Sequence, residues 1–577
     1  MAYLFNDPSD FADELTAGFI AAYPRWVRKV PGGVARSTAS KPGTVAVIIG
    51  GGSGHYPAFA GLVGPGLAHG AAMGNIFASP SAQQVYSVAK AAESGGGVLL
   101  TYGNYAGDVL NFNQAQDRLN GEGIRTATVA VTDDISSARA DEAHKRRGIA
   151  GDLAVFKVAG AAADEGRILD EVVDVASRAN SRTRSFGIAF SGCTLPGSAE
   201  PLFTIPEGKM AVGMGIHGEP GIGEEDLPSA DQAAELLVRW LLSEAADGPE
   251  GSRVALILNG LGSVKSEELF VVYKRVAELL DEAGVTIVEP EIGEMVTSFQ
   301  MAGISLTLMW LDGDLERYWK AAASTPAFRK GAVEETDDGA WAPERSLGTE
   351  DELPTSTAES RSAAAVVQEL LEAVREVIDA NVDDLGRLDS IAGDGDHGIG
   401  MQRGATAAAK AGREAVGRGA GAGTLLSRAG DAWADKAGGT SGALWGMLLA
   451  TIGGRLGDQE RPTAEAVSRG VSDGAAKIME FGKAQLGDKT LVDTLVPFAV
   501  ALEKAVARGS SLAEAWAAAG EVARASAEAT ATLVPKMGRA RPLAEKSLGT
   551  PDPGAMSMAM IISTVGTRIS AKEKISD

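Results

Sequence analysis

Three aspartates fall within the eight residues from Asp389 to Asp396, in the run Leu388-Asp389-Ser390-Ile391-Ala392-Gly393-Asp394-Gly395-Asp396-His397-Gly398. Carboxylates spaced that closely by glycine repel one another unless a cation sits among them. Hard divalent ions take oxygen ligands, and Mg2+ is held by a few carboxylates together with the phosphates of a nucleotide. The run therefore reads as a kinase-type metal site, with a plain polar turn as the bland alternative. A calcium loop of the EF-hand kind fails. Counting from Asp394, the alternation of oxygen donors stops after Asp396, and Gln402 and Ala405 stand where acids are needed.

A second chemistry is suggested by His55 and His217, two of only five histidines, which end or interrupt glycine-rich loops: Gly50-Gly51-Gly52-Ser53-Gly54-His55 and Gly213-Met214-Gly215-Ile216-His217-Gly218. Glycines on both sides let a small substrate reach an imidazole. One ring can add to a carbonyl as a nucleophile, while the other ring or a carboxylate handles a hydroxyl proton. Asp108, in Asn104-Tyr105-Ala106-Gly107-Asp108, is the candidate carboxylate. The alternative is that each histidine only satisfies its loop by hydrogen bonds. His69 and His144 lack such loops and read as surface or structural residues. The match of residues 213–218 to G-x-G-x-x-G does not signal a dinucleotide, because that loop must open a helix. Here Glu219-Pro220-Gly221 follows at once, and Pro220 biases Glu219 away from helical geometry.

No Gly-Lys-Ser/Thr sequence occurs, so there is no Walker A loop. Phosphate binding points instead to Gly438-Gly439-Thr440-Ser441-Gly442, between two predicted helices. The N-terminus of the second helix offers free backbone N–H groups and hydroxyls to anionic oxygens; a cap without a ligand is the alternative. Arg539 and Pro551-Asp552-Pro553-Gly554 could close over a nucleotide, though the latter alone is simply a turn.

The elements that must position these residues differ between the two halves of the chain. Apolar, β-rich runs at 44–49, 97–102, 126–131, 185–190, 254–259, 286–288 and 304–312 alternate with helical patterns at 81–94, 232–244 and 315–323. That alternation predicts an α/β half with a largely parallel sheet. Residues 326–359 are polar and acidic with scattered proline and glycine, a linker. Beyond them, Ala-rich amphipathic segments at 363–380, 406–416, 424–436, 444–455, 463–481, 491–507 and 512–533 predict an all-helical half. Its first helix carries Val366, Leu370, Val374 and Ile378 on one stripe, and the aspartate run is the loop after that helix. We set the domains at 1–330, 331–360 (linker) and 361–577; length alone suggests three or four units.

Composition excludes several classes. Hydrophobic content of 45% with 22% charged residues fits a folded chain. A net charge of −23 repels phosphate backbones, so nucleic acid is not expected as a partner. The single cysteine, Cys193, rules out an intrachain disulfide. No apolar run approaches the roughly 20 residues that span a bilayer, and residues 1–7 do not read as a signal peptide. The expectation is a cytoplasmic protein without a membrane partner.

Taken in order, the motifs resemble the single-chain, ATP-dependent dihydroxyacetone kinases, which join a ketose-binding K domain to a nucleotide-binding L domain. The resemblance rests on 50–55, 104–108, Arg147-Gly148-Ile149-Ala150-Gly151-Asp152, 213–221, the aspartate run, Gly487-Asp488-Lys489-Thr490 and 552–554. It implies that His217 captures the substrate carbonyl as a hemiaminal. His55 and Asp108 would relay the hydroxyl proton, and Gly52, Ser53 and Gly54 would line the same pocket. It implies that Asp389, Asp394 and Asp396 hold Mg2+ against ATP, with His397, Gly398, Ile399, Gly400, Thr440, Ser441, Gly482, Leu491, Arg539, Asp552, Pro553 and Gly554 around the nucleotide. It further implies an eight-helix barrel for the second domain, and a homodimer in which one L domain covers the K domain of the other chain.

Departures from the family pattern narrow the substrate. The usual Gly-His-Glu-Pro-Ala-His reads Gly54-His55-Tyr56-Pro57-Ala58-Phe59, a common lysine is Gly103, and Asn-Asn-Leu-Gly-Gly reads Asn259-Gly260-Leu261-Gly262-Ser263. The chain is thereby similar to the tetrulose kinase branch, which acts on erythrulose. The alternatives are a dihydroxyacetone or glyceraldehyde kinase, a lyase that cyclises a nucleotide-linked flavin, a ketone-binding regulator, and a phosphotransferase-system acceptor.

Overall fold

Strands and helices do alternate in the first half, but they build two sheets rather than one. The computed structural model describes residues 4–219, 221–245, 249–332, 353–393, 395–537 and 544–576. It divides into two compact units, Met1–Leu347 and Gly348–Asp577, fewer than length suggests because both sheets belong to the first unit.

The first sheet contains β1 (Val27–Val30), β2 (Gly33–Arg36), β3 (Ala46–Ser53), β4 (Gly70–Ile76), β5 (Val98–Gly103) and β6 (Thr126–Val131), in the order β1-β2-β4-β3-β5-β6. Strands β4, β3, β5 and β6 are parallel, as their uninterrupted apolar runs require. The second sheet contains β7 (Thr183–Ala189), β8 (Lys209–Val212), β9 (Gly223–Asp226), β10 (Arg253–Gly260), β11 (Thr286–Gly293) and β12 (Gly303–Trp310), in the order β11-β10-β12-β7-β8-β9. Here only β10 and β11 run parallel; the other pairings are antiparallel. The expectation of a largely parallel arrangement therefore holds for the first sheet and fails for the second. Its inner strands are buried on both faces like parallel strands, so periodicity cannot tell them apart.

The helix Gly151–Asp164 packs on β3, β5 and β6 of the first sheet and on β7 and β12 of the second. It is buried from Gly151 to Ala163. Apolar all round, it has no amphipathic stripe to announce it.

In the second unit all the described elements are helical. Eight long helices, Ala358–Asp379, His397–Gly417, Ala422–Ala437, Gly439–Leu456, Ala464–Gly482, Val492–Ala507, Leu512–Ala529 and Pro553–Ser576, each pack on the next, and the last returns to the first, closing a barrel. Two glycine pairs bring the third and fourth helices backbone to backbone. A Cβ on Gly430 would stand 2.6 Å from the Gly446 carbonyl oxygen, and one on Gly453 2.6 Å from that of Gly423. The first helix starts at Ala358, inside the segment read as linker. A short helix, Val382–Asp389, intervenes before the aspartate run, so the run follows the second helix rather than the first. The final helix lies beyond the seven segments read as helical and completes the eight that the resemblance implies; Pro553 opens it, where proline is tolerated because its missing N–H is unneeded.

Candidate active site

The site in the α/β unit is assembled from loops at one edge of the first sheet. Parallel β3, β4 and β5 end there together, the usual place for a ligand in such sheets. Just past β3, Gly54 has φ +110°, and a Cβ on it would stand 2.8 Å from the rings of both Phe77 and Phe299. Ser53 is buried and donates its hydroxyl to the Gly74 carbonyl, tying β3 to β4. A Cβ on Gly52 would stand 2.6 Å from the Ala78 nitrogen. The loop then delivers His55, fully buried, against a segment of the second sheet. The Thr297 N–H donates to the His55 carbonyl and the Phe299 N–H to that of Gly54.

His55 and His217 come together. Their Nε2 atoms are 2.9 Å apart and their rings meet edge-on at 4.7 Å. His55 Nδ1 is 2.7 Å from the Thr297 carbonyl oxygen, which can only accept, so Nδ1 carries a proton. His217 Nδ1 is 2.9 Å from Glu219 Oε1, and the His217 N–H donates to Oε2 at 2.9 Å. Burial alone would raise the Glu219 carboxyl. The adjacent His217, its hydrogen bonds and Arg147 overrule that and hold it well below the usual carboxylate range. With both Nδ1 atoms committed as donors, the short Nε2–Nε2 contact requires one shared proton between the rings. Burial, reinforced by His217, pushes His55 down to about 3.

Aromatic rings wall this pair. Phe77 stacks on His55 at 4.8 Å and meets His217 edge-on at 5.3 Å, and Tyr105 meets His217 edge-on at 4.7 Å. Tyr105 belongs to the 104–108 motif, but Phe77 was not singled out from sequence, since nothing in Ile76-Phe77-Ala78 marks a site. The substituted residues sit further off. Tyr56 is half exposed and packs on Phe19, whereas Phe59 lies under Gly51, against Phe156 and 6.5 Å edge-on from His55. A side chain at Gly103 would meet Asp152, Gly148 and Tyr105.

Asp108 lies in the first turn of the helix Ala106–Gly121. It is 9% exposed, its Oδ1 has no hydrogen-bond partner, and burial lifts it to about 7 although a hydrogen bond with Ser79 pulls the other way. It makes no hydrogen bond to either histidine, so its free oxygen is available to a third party. Ser79, also bonded by Asn111, was missed.

In the helical unit, Asp389 closes the short helix and its Oδ2 accepts the Gly395 N–H at 2.9 Å and the His397 N–H at 3.4 Å. Asp396 is open to solvent, yet enclosure by surrounding protein and the neighbouring Asp389 raise it to about 6. Asp552 is lifted to about 7 by burial, with Asp493 and Asp389 adding to the effect and Lys489 opposing it. Asp394 lies outside the described residues, and among those described no three donors converge at metal-binding separation. The oxygen-only donors and the like-charge crowding of Asp389 with Asp396 suit a hard cation.

His397 Nε2 is 3.0 Å from Ser557 Oγ, and Gly554 abuts Leu491 and Asp552, so His397, Leu491, Asp552, Pro553 and Gly554 cluster beside Asp389. Gly398 is buried against Val382, while Ile399 is exposed and Gly400 borders open space. The fourth long helix starts at Gly439 rather than near Ala443, which places Thr440 and Ser441 in its first turn; Gly482 ends the fifth long helix, against Leu444 of the fourth. Arg539 lies outside the described residues. Lys489, which donates to the Ser547 carbonyl, and Asp493, which accepts the Gly487 and Thr490 N–H groups, order the 487–490 loop.

The chain matches the Dak1 domain over residues 17–327 and the DAK2 domain over residues 391–567. It is 62% identical over 569 residues to the L-erythrulose kinase of Pectobacterium atrosepticum, covering 98% of this chain and 96% of that one. It is 54% identical over 569 residues to the D-erythrulose kinase of Mycolicibacterium smegmatis, covering 98% of each. It is similar to the crystal structure of the dihydroxyacetone kinase from C. freundii in complex with AMP-PNP and Mg2+, with 29% identity, a TM-score of 0.52 and coverage of 98% of this chain and 99% of that one. The chain therefore belongs to the dihydroxyacetone kinase family, phosphotransferases acting on a hydroxyl group, with both of the family's domains fused in one polypeptide.

Proposed function

We propose that this protein transfers the γ-phosphoryl group of ATP to a terminal hydroxyl of erythrulose while the ketose carbonyl is held on His217. The observation that carries the reading is the His55–His217 pair, 2.9 Å apart, inside aromatic walls that include Tyr105, three residues before Asp108 with its one free oxygen. In this scheme His217 Nε2 bonds to the carbonyl carbon, the C=O π pair moves to oxygen, and that oxygen takes the proton shared by the two rings. The result is a hemiaminal whose ring, still protonated at Nδ1, keeps the pair's single positive charge against Glu219. Asp108 then accepts the proton of the hydroxyl that attacks the phosphorus. Asp389 and Asp396, with Asp394, would hold Mg2+, which supplies charge neutralisation at the phosphates.

The names of the two erythrulose kinase relatives support the four-carbon ketose, and the AMP-PNP and Mg2+ bound to the solved relative support the nucleotide and the metal. Those names cover both the L and D forms, so the enantiomer is decided by assay. We take the enzyme to act in the cytoplasm as a homodimer; among the described residues no helix is long and apolar enough to cross a membrane.

The test is an ADP-release screen over dihydroxyacetone, glyceraldehyde and both erythrulose enantiomers, with NMR of the product. One erythrulose enantiomer is expected to give the highest kcat/KM, and a clear preference for dihydroxyacetone would overturn the assignment. His217→Ala is expected to abolish covalent capture of ketose while AMP-PNP still binds.

A further inference from the structure

We propose that Glu219 and Arg147 are positioning residues for His217: Glu219 fixes which ring nitrogen is free to attack, and Arg147 fixes Glu219. The proposal rests on the reading of His217 as the carbonyl-binding residue. Both oxygens of Glu219 are spent on His217, one on Nδ1 and one on its backbone N–H, each at 2.9 Å. A ring anchored in this way can neither flip nor exchange its two nitrogens without losing a charge-assisted bond.

Arg147 Nη1 stands 3.8 Å from Glu219 Oε2. The guanidinium is itself immobilised, with Nε and Nη2 at 3.0 and 2.8 Å from Asp134 Oδ2. Asp134 is 1% exposed. Ser136 lies between the Asp134 carboxylate and the Gly213 carbonyl, its hydroxyl 2.6 Å from one and 2.7 Å from the other. The loop that carries His217 is thus fastened to the 134–147 segment at both ends, at Gly213 through Ser136 and at Glu219 through Arg147.

Gly215 explains why no side chain interrupts this arrangement. A Cβ there would stand 2.3 Å from Glu219 Oε2 and 2.9 Å from Arg147 Nη1. The charged and titratable groups facing the assembly are His55 and Tyr105 on the His217 ring, then Arg147, Asp134 and Asp152 around Glu219 and the Tyr105 hydroxyl. Arg147 is the one fixed cation among them, so it sets how strongly Glu219 holds the proton of the histidine pair.

The test uses the full chain and a ketose carrying 13C at its carbonyl, with loss of the ketone signal and gain of the adduct signal followed by NMR across pH, alongside kcat and KM. Arg147→Met leaves the Glu219 charge uncompensated against the Nδ1–H; the midpoint for adduct formation is expected to move up by about one pH unit. Glu219→Gln is expected to move it down by a similar amount, and Arg147→Lys to leave it in place. Gly215→Ala pushes on the ends of the same two side chains without removing a charge. It is expected to cut adduct formation by about tenfold or more at an unmoved midpoint. Merely structural damage cannot displace the midpoint in opposite directions. An adduct in the wild type with midpoints that stay put, or move together, would overturn the positioning role alone. No adduct in the wild type would overturn the reading of His217 as well.

Discussion

Asp108→Asn should make the protein more stable and nearly inactive, and both effects follow from the same burial. The carboxyl rises from 3.8 to about 7 because it is enclosed, with only hydrogen bonds from Ser79 and its own backbone to offset the loss of water. At about 1.4 kcal/mol per tenfold change in proton affinity, this amounts to about 4 kcal/mol. The sign is set by where the proton sits. Between pH 3.8 and about 7 the folded chain keeps a proton that the unfolded chain releases, so stability falls as pH rises through that window and levels off above it. The amide has no such proton. Its advantage should therefore be near zero at pH 4 and grow to at most about 4 kcal/mol by pH 8, less whatever relaxation wild-type Asp108 already enjoys. Calorimetry of the full chain at pH 5 and pH 8 reads this difference. In the kinase assay the same variant loses the proton acceptor, and kcat should fall about 10²- to 10⁴-fold. The acid limb of the kcat profile near pH 7 should disappear with it, while ketose capture by His217 persists. Equal pH dependence of stability in the two proteins, or a kcat within tenfold of wild type, would refute the reasoning.

Three further outcomes are expected. Replacing Asp389 and Asp396 by Asn should remove Mg2+-dependent ATP turnover, and turnover that survives with unchanged Mg2+ dependence would move the metal elsewhere. Asp164→Asn strips the two-point partner from Arg36, which is 8% exposed and bonded to Asp164 at 2.9 and 3.0 Å. Leaving a buried guanidinium unpaired should cost about 3–5 kcal/mol in urea unfolding, and a loss below about 1 kcal/mol would count against it. Gly51→Ala would put a methyl group 2.3 Å from the Phe59 ring. Overpacking of that kind should cost about 1–3 kcal/mol, measurable as a lowered unfolding midpoint, and an unchanged midpoint would show that the ring yields freely.

What was legible in the sequence was what residue type and local spacing encode. Glycines beside His55 and His217 and the aspartates around Asp396 announce chemistry before any geometry is known, and the apolar runs of β3, β5 and β6 announce buried strands. What was not legible depends on contacts across space. Phe77 and Phe299 close over Gly54, and Phe77 reaches the histidines, only because Gly54 has no side chain, and nothing near either residue in the chain says so. Glu219 was adjacent to a recognised motif, yet its role needs Arg147 from seventy-two residues earlier. The antiparallel second sheet escaped because strands covered on both faces carry no record of direction. The helix Gly151–Asp164 escaped because it is covered on every side.

The bond from His55 to Thr297 crosses from a loop of the first sheet to a loop of the second. A hydrogen bond of 2.7 Å does not survive a slip of even an ångström or so between the layers that hold its ends. The proposed ketose pocket should therefore behave as a strain gauge for the α/β half: heat, pressure or denaturant should silence it while the sheets themselves are still intact. A loss of capture that precedes any change in circular dichroism would be its signature.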